Sequence, residues 1–143
     1  MDFDLEAAQK SLKLDITFKD YVATSNGLFN FAETVGGIAL FFTMSLSGLG
    51  TNTESFLYAV SYAYSTNGIQ ILLAGFLNHS SAVIVQRLFF YATHQCFGTL
   101  AYVSGAMMLV SDEDSLTMAG MISMVVGACH FFHLIHLFFK IYV

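Results

Sequence analysis

Long apolar stretches separated by short polar links dominate this chain. A helix of about 20 residues crosses about 30 Å of hydrocarbon at a rise of 1.5 Å per residue. Each stretch is long enough to do so, which predicts an all-α membrane protein. The pattern predicts one membrane domain, residues 28–143, that follows a polar N-terminal segment, residues 1–27. The four predicted spans are 28–49, 55–77, 88–110 and 115–140.

The second span is the most polar of the four. Its run Ser65-Thr66-Asn67-Gly68 is typical of a turn in a water-soluble protein. In lipid, a break in the helix would leave backbone N–H and C=O groups without hydrogen-bond partners. We therefore predict one continuous helix here. The run Thr24-Ser25-Asn26-Gly27, just before the first span, is typical of a helix start.

The charged residues predict how the chain is threaded. All the Lys and Arg residues lie before the first span, between the second and third, or at the end of the fourth, whereas the other two links carry only acids. Cation-bearing links face the cytoplasm, which predicts an antiparallel four-helix bundle with both termini cytoplasmic. The Asn78-His79-Ser80 glycosylation pattern should then stay unmodified. The cations are Lys10, Lys13, Lys19, Arg87 and Lys140, and the acids are Glu54 and Asp112-Glu113-Asp114.

Composition narrows the function classes. The chain has 143 residues, of which 56% are hydrophobic and 10% charged, so four spans leave no room for a separate soluble domain. No basic stripe exists to bind nucleic acid. No nucleophile motif or phosphate-binding loop is present either, and we expect no cofactor. Cys96 and Cys129 lie inside spans, where we expect small, unreactive core residues.

Small residues recur four positions apart, which places them on one helix face and lets helix backbones approach closely in lipid. Two interpretations stay open. The pairs could pack the four helices against one another, or an outward groove, such as that around Gly36 and Gly37, could join two copies of the chain. The predicted packing residues are Ala32, Gly36, Ala101, Gly105, Ser123 and Gly127.

Isolated polar residues converge on the cytoplasmic half of the predicted spans. Counted at 1.5 Å per residue, several lie at nearly one level, roughly 7–12 Å inside the membrane. An ionisable group at that depth should face other helices and be paired. Glu33 with either His94 or His133 is the expected pair. The predicted cluster comprises Glu33, Asn67, Gln70, His94, His130 and His133.

Three roles are open for this cluster. Interhelical hydrogen bonds could hold the helices together. A His–carboxylate pair could carry protons or ions. The spacing His130-x2-His133-x2-His136 could ligate a metal or haem, although it is less specific than known zinc motifs. The structural role is our expectation, and we predict no metal.

The chain resembles the MARVEL-domain family of four-span membrane proteins, which includes the myelin-and-lymphocyte, physin and chemokine-like types. The resemblance lies in the segment from Asp20 to Leu28, in Glu33 and Gly36-Gly37, and in the polar-spotted last span from Cys129 to His136. The chain departs from the family pattern in lacking Pro before the first span and in carrying His residues where an acid often lies.

The resemblance implies a non-enzymatic role in membrane apposition, such as vesicle trafficking, ordered lipid domains, cell junctions or membrane fusion. It also implies a multi-pass protein of the plasma membrane or of vesicles. The expected partners are membrane lipids and other membrane proteins, or a second copy of the chain.

Overall fold

The computed structural model describes residues 21–77, 89–113 and 117–142, and this part of the chain is all-α, as predicted. Each predicted span corresponds to one helix, and the second is continuous through Ser65-Thr66-Asn67-Gly68. Most of the polar N-terminal segment with its three Lys residues lies outside the described residues, and so do Asn78-His79-Ser80, Arg87 and Asp114. The helices are α1 Ser25–Ser47, α2 Asn52–Leu77, α3 Phe89–Glu113 and α4 Met118–Tyr142.

Helix starts are fixed by hydroxyl caps. Thr24 is extended (φ −75°, ψ 149°), and its side-chain oxygen accepts a hydrogen bond from the Gly27 amide at 3.1 Å. Thr51 caps α2 by accepting from the Glu54 amide, and the Glu54 carboxylate accepts in return from the Thr51 amide at 2.8 Å. This reciprocal capping box satisfies amides that would otherwise lack partners at the helix start.

A short link joins α1 to α2. Gly48 follows α1 with a φ of +83°, a conformation that side-chain-bearing residues rarely adopt. Two residues later, the amide of Gly50 donates a hydrogen bond to the Glu54 carboxylate at 2.7 Å. The turn and the cap therefore share one carboxylate, which sets where α2 begins.

The four helices surround a shared apolar core. Helix α1 contacts α2 and α4, and α3 contacts the same two helices. Every helix contributes to the buried core, in which Tyr102 of α3 is the largest side chain. Its members are Leu40, Met44, Leu57, Tyr102, Leu109, Ala119 and Val126.

Helix α4 directs several polar side chains inward and many large apolar ones outward. On α4, Ser123, His130 and His133 are buried, whereas the exposed positions from Met118 to Phe139 are Met, Val and Phe. A water-soluble helix shows the opposite distribution. The exposed apolar side chains of α4 are Met118, Met121, Met124, Val125, Phe131, Phe132, Phe138 and Phe139.

Two of the helices are long and apolar enough to cross a membrane, judged by length and composition. They cover Ser25–Ser47 and Met118–Lys140. Helices α2 and α3 are equally long but contain more hydroxyl, amide and imidazole side chains.

Candidate functional site: a buried Glu–His–Gln network

The carboxylate of Glu33 is the centre of the site. Glu33 lies on the inner face of α1 with only 7% of its surface exposed, and His133 of α4 is fully buried. The Nδ1 atom of His133 lies 2.8 Å from Oε1 of Glu33. One oxygen of the carboxylate thus binds the first and last helices together.

The other carboxylate oxygen reaches the third helix. The amide nitrogen of Gln95 donates to Oε2 of Glu33 at 3.3 Å, and the amide oxygen of Gln95 pairs with Nδ1 of His130. The same His130 nitrogen lies 3.6 Å from Oε1 of Glu33. Gln95 is fully buried, so both ends of its amide have partners where no solvent could replace them.

A second branch runs toward the start of α1. The hydroxyl of Tyr91 donates to Oδ1 of Asn30 at 2.5 Å and lies 3.4 Å from Nε2 of His133. The amide nitrogen of Asn30 donates to the Tyr21 hydroxyl at 2.8 Å. Hydrogen bonds therefore connect Tyr21 to His130 through side chains of α1, α3 and α4.

Helical spacing explains why these residues meet. Asn30, Glu33 and Gly37 are three or four residues apart on α1, so they share one face. The same spacing aligns Tyr91 with Gln95 on α3 and His130 with His133 on α4. Each of these three helices thus presents a narrow polar stripe to its neighbours within an otherwise apolar sequence.

Aromatic rings surround the imidazoles. The rings of Tyr102 and His130 are stacked, with centroids 5.6 Å apart, and those of Phe29 and His133 are stacked at 5.0 Å. Stacking on both histidines fixes ring orientation, which keeps the Nδ1 atoms aimed at Glu33 and Gln95.

The structure brings together Glu33, His130 and His133 of the predicted cluster, but not all of its members. His94 is half-buried beside them, stacked on Tyr64 at 4.5 Å and 6.0 Å from the His130 ring. Asn67 and Gln70 lie on the exposed face of α2, outside the network. Their depth along the helix matches the cluster, but the small residues Ser61, Ser65 and Gly68 face inward instead.

Sequence reasoning placed Gln95 beside His94 at the depth of the cluster, but it missed Asn30 and Tyr91. Asn30 precedes Glu33 by three residues, and Tyr91 precedes Gln95 by four. Each of them shares a helix face with a residue already suspected, and that spacing could have identified them. Hydropathy could not.

Most of the predicted packing residues lie at helix contacts. A Cβ atom on Gly36 would lie 2.5 Å from Val126, and one on Gly127 would lie 2.8 Å from Val103. Gly105 is similarly close to the Leu57 side chain. The Ser123 hydroxyl donates to the Tyr102 carbonyl at 2.8 Å. Small residues at these points let the helices approach within side-chain contact.

The two alanines of the predicted packing set are not buried. Ala32 is exposed, and Ala101 is half-buried. The suggested outward groove around Gly36 and Gly37 is filled from within, since Gly36 faces Val126 and a Cβ atom on Gly37 would lie 2.7 Å from the Ser65 hydroxyl. That groove is used for contacts inside the chain.

The site consists of hydrogen-bond donors and acceptors. Cys96 is exposed on α3 and Cys129 is half-buried, so Cys96 is not the core residue we expected. Within the described ranges, no group of three His, Cys, Asp or Glu residues is placed to hold a metal ion. Three buried polar atoms, Nε2 of His130 and the hydroxyls of Ser65 and Tyr102, have no hydrogen-bond partner there.

Comparisons with protein-family models, curated proteins and solved structures return no match to this chain.

Proposed function

We propose that the chain is a non-enzymatic four-pass membrane protein that organises membranes or partner helices. The observation that carries the proposal is that large apolar side chains are exposed on all four helices, while the polar side chains of Glu33, Gln95 and His133 are buried. Exposed Phe, Met and Leu side chains on every helix would aggregate in water, whereas lipid tails solvate them.

The proposed topology follows the charges. The helices form an antiparallel bundle with both termini in the cytoplasm, since Lys140 ends α4 and the Gly48–Thr51 link carries no cation. Helices α2 and α3 cross the membrane as well, with Ser61 and Ser65 of α2 and Gln95 of α3 directed toward neighbouring helices. The buried Glu33 network then supplies interhelical hydrogen bonds where helices gain no hydrophobic driving force from association.

The role within the membrane rests on the MARVEL-like features of the sequence. The segment from Asp20 to Leu28 contains the Tyr21 and Thr24 contacts that begin α1, and Glu33 is the centre of the polar network. We propose a function in vesicle trafficking, membrane apposition or cell junctions at the plasma membrane or on vesicles, with lipids and membrane proteins as partners.

A second candidate is a small transporter or channel subunit in which the network carries protons. Continuous hydrogen bonding from Tyr21 to His130 through two histidines and a carboxylate favours it. Such groups are the parts from which intramembrane proton relays are built.

Topology is tested with single cysteines in a chain carrying Cys96→Ala and Cys129→Ala. In intact cells, a membrane-impermeant maleimide should label Ser47→Cys and leave Ser81→Cys unlabelled until the cells are opened. Recovery of the chain in the soluble fraction, or labelling of Ser81→Cys from outside, would contradict the proposed topology.

The two functions are separated with Glu33→Gln in lipid vesicles. If the network has a structural role, Glu33→Gln should weaken folding or partner assembly. The parent protein and the variant should then show the same negligible proton flux. A proton flux in the parent that Glu33→Gln abolishes, at unchanged expression, would favour the transporter. Ser104→Ala, on the exposed face of α3, is the matched control.

A further inference from the structure

Two amide side chains on the outer face of α2 have no partner. Asn67 and Gln70 are exposed, and neither makes a hydrogen bond within the described residues. They lie about 10 to 15 Å from the end of α2 at Leu77, at 1.5 Å per residue. In the proposed membrane topology, that depth lies within the hydrocarbon, where lipid offers no donor or acceptor.

Other polar side chains on the outer surface have a hydrogen-bond partner within their own helix. The hydroxyls of Thr43, Ser45 and Thr66 each donate to the carbonyl four residues earlier, at 2.8 Å. A primary amide has two N–H donors and a carbonyl acceptor, which a single helix cannot satisfy in this way. Asn67 and Gln70 therefore need an external partner that both donates and accepts.

Small residues beside the amides would allow a second helix to pack closely against this face. Ala59 and Ala63 are both exposed and lie four residues apart, in line with Asn67 on the same face. Small residues at this spacing allow close helix contact in lipid. The corresponding faces of α3 and α4 carry bulky side chains such as Phe97 and Phe132.

We propose that this face of α2 binds the same face of a second copy of the chain. A two-fold axis would bring each amide against an amide of the partner, which supplies both donors and acceptors. The surface is thus complementary to itself, and a dimer satisfies all four amides at once. The proposal rests on the proposed membrane function and adds a partner to it.

The test is single-molecule photobleaching of the full chain in lipid vesicles over a range of protein-to-lipid ratios. We expect two-step bleaching at low ratios for the parent. Asn67→Leu with Gln70→Leu should weaken dimerisation about tenfold or more, while the unfolding midpoint of the monomer in detergent stays unchanged, because neither side chain makes a hydrogen bond within the described residues. The control, Ser104→Leu on α3, should dimerise like the parent.

Crosslinking locates the interface. In the chain without native cysteines, Ala63→Cys should form a disulfide-linked homodimer on mild oxidation, and Val125→Cys on the outer face of α4 should not. Single-step bleaching at every ratio, a double variant that dimerises like the parent, or crosslinking only through Val125→Cys would overturn the dimer. These results leave the membrane function intact, whereas recovery of the parent in the soluble fraction would overturn both.

Discussion

Nδ1 of His133 lies 2.8 Å from Oε1 of Glu33, and the two residues are 100 positions apart in the sequence. The contact closes the first helix against the last at a buried point, with Gln95 of the third helix on the other carboxylate oxygen. An interaction between such distant segments can form only once the helices have assembled. Its strength therefore reports on tertiary packing and not on the stability of either helix.

A double-mutant cycle should measure this contact. Glu33→Gln and His133→Gln should each destabilise the fold, and the pair should show a coupling free energy of about 0.5–3 kcal/mol. Reversible unfolding in mixed detergent micelles gives the free energies. As a control, Glu54→Gln in the first turn of α2 should be additive with His133→Gln. Additivity of Glu33→Gln with His133→Gln would contradict the contact.

Hydropathy and spacing gave the four helices to within a few residues, because each is long and bounded by polar or glycine-containing links. They also placed Glu33 and His133 at a common depth. They did not give the rotation of α2 about its own axis, so Asn67 and Gln70 were expected inside. The rotation of α2 is set by the small residues at which its backbone packs against the neighbouring helices, namely Ser61, Ser65 and Gly68. Counting residues gives the depth of a side chain in the membrane but not the direction in which it points.

Gly68 should be intolerant of even a methyl group. A Cβ atom there would overlap the Thr34 hydroxyl and lie 3.1 Å from the Thr34 Cβ atom. Gly→Ala in an isolated helix stabilises by about 1 kcal/mol, but Gly68→Ala should destabilise this fold by about 1–3 kcal/mol through overpacking. The measurement is the free energy of unfolding in mixed micelles.

The contact between Gly68 and Thr34 also supplies its own control. Thr34→Ala removes the hydroxyl and the methyl group that the new methyl group would meet and leaves only the Thr34 Cβ atom at 3.1 Å, so it should recover most of the stability lost in Gly68→Ala. Equal destabilisation by Gly68→Ala in the presence and absence of Thr34→Ala would show that α1 and α2 do not pack at this point.

The hydroxyl of Tyr91 should contribute more than that of any exposed tyrosine. Tyr91→Phe leaves Oδ1 of Asn30 buried without its donor, which costs about 1–3 kcal/mol. Tyr62, which is 60% exposed on α2, provides the matched substitution. Tyr62→Phe should change the unfolding free energy by less than about 0.5 kcal/mol. Equal effects of the two substitutions would contradict the buried branch of the network.

The reactivity of Cys96 should distinguish lipid from water around α3. Its side chain is exposed, so in a water-soluble protein it would react quickly with a charged maleimide. In a bilayer the thiol faces hydrocarbon, which a charged reagent does not enter. We expect negligible labelling in intact vesicles and stoichiometric labelling after denaturation in detergent.

Ser47→Cys, at the exposed end of α1, serves as the positive control because it should label in intact vesicles under the same conditions. Rapid labelling of Cys96 in vesicles would place this face of α3 in water and remove the main physical argument for a membrane protein.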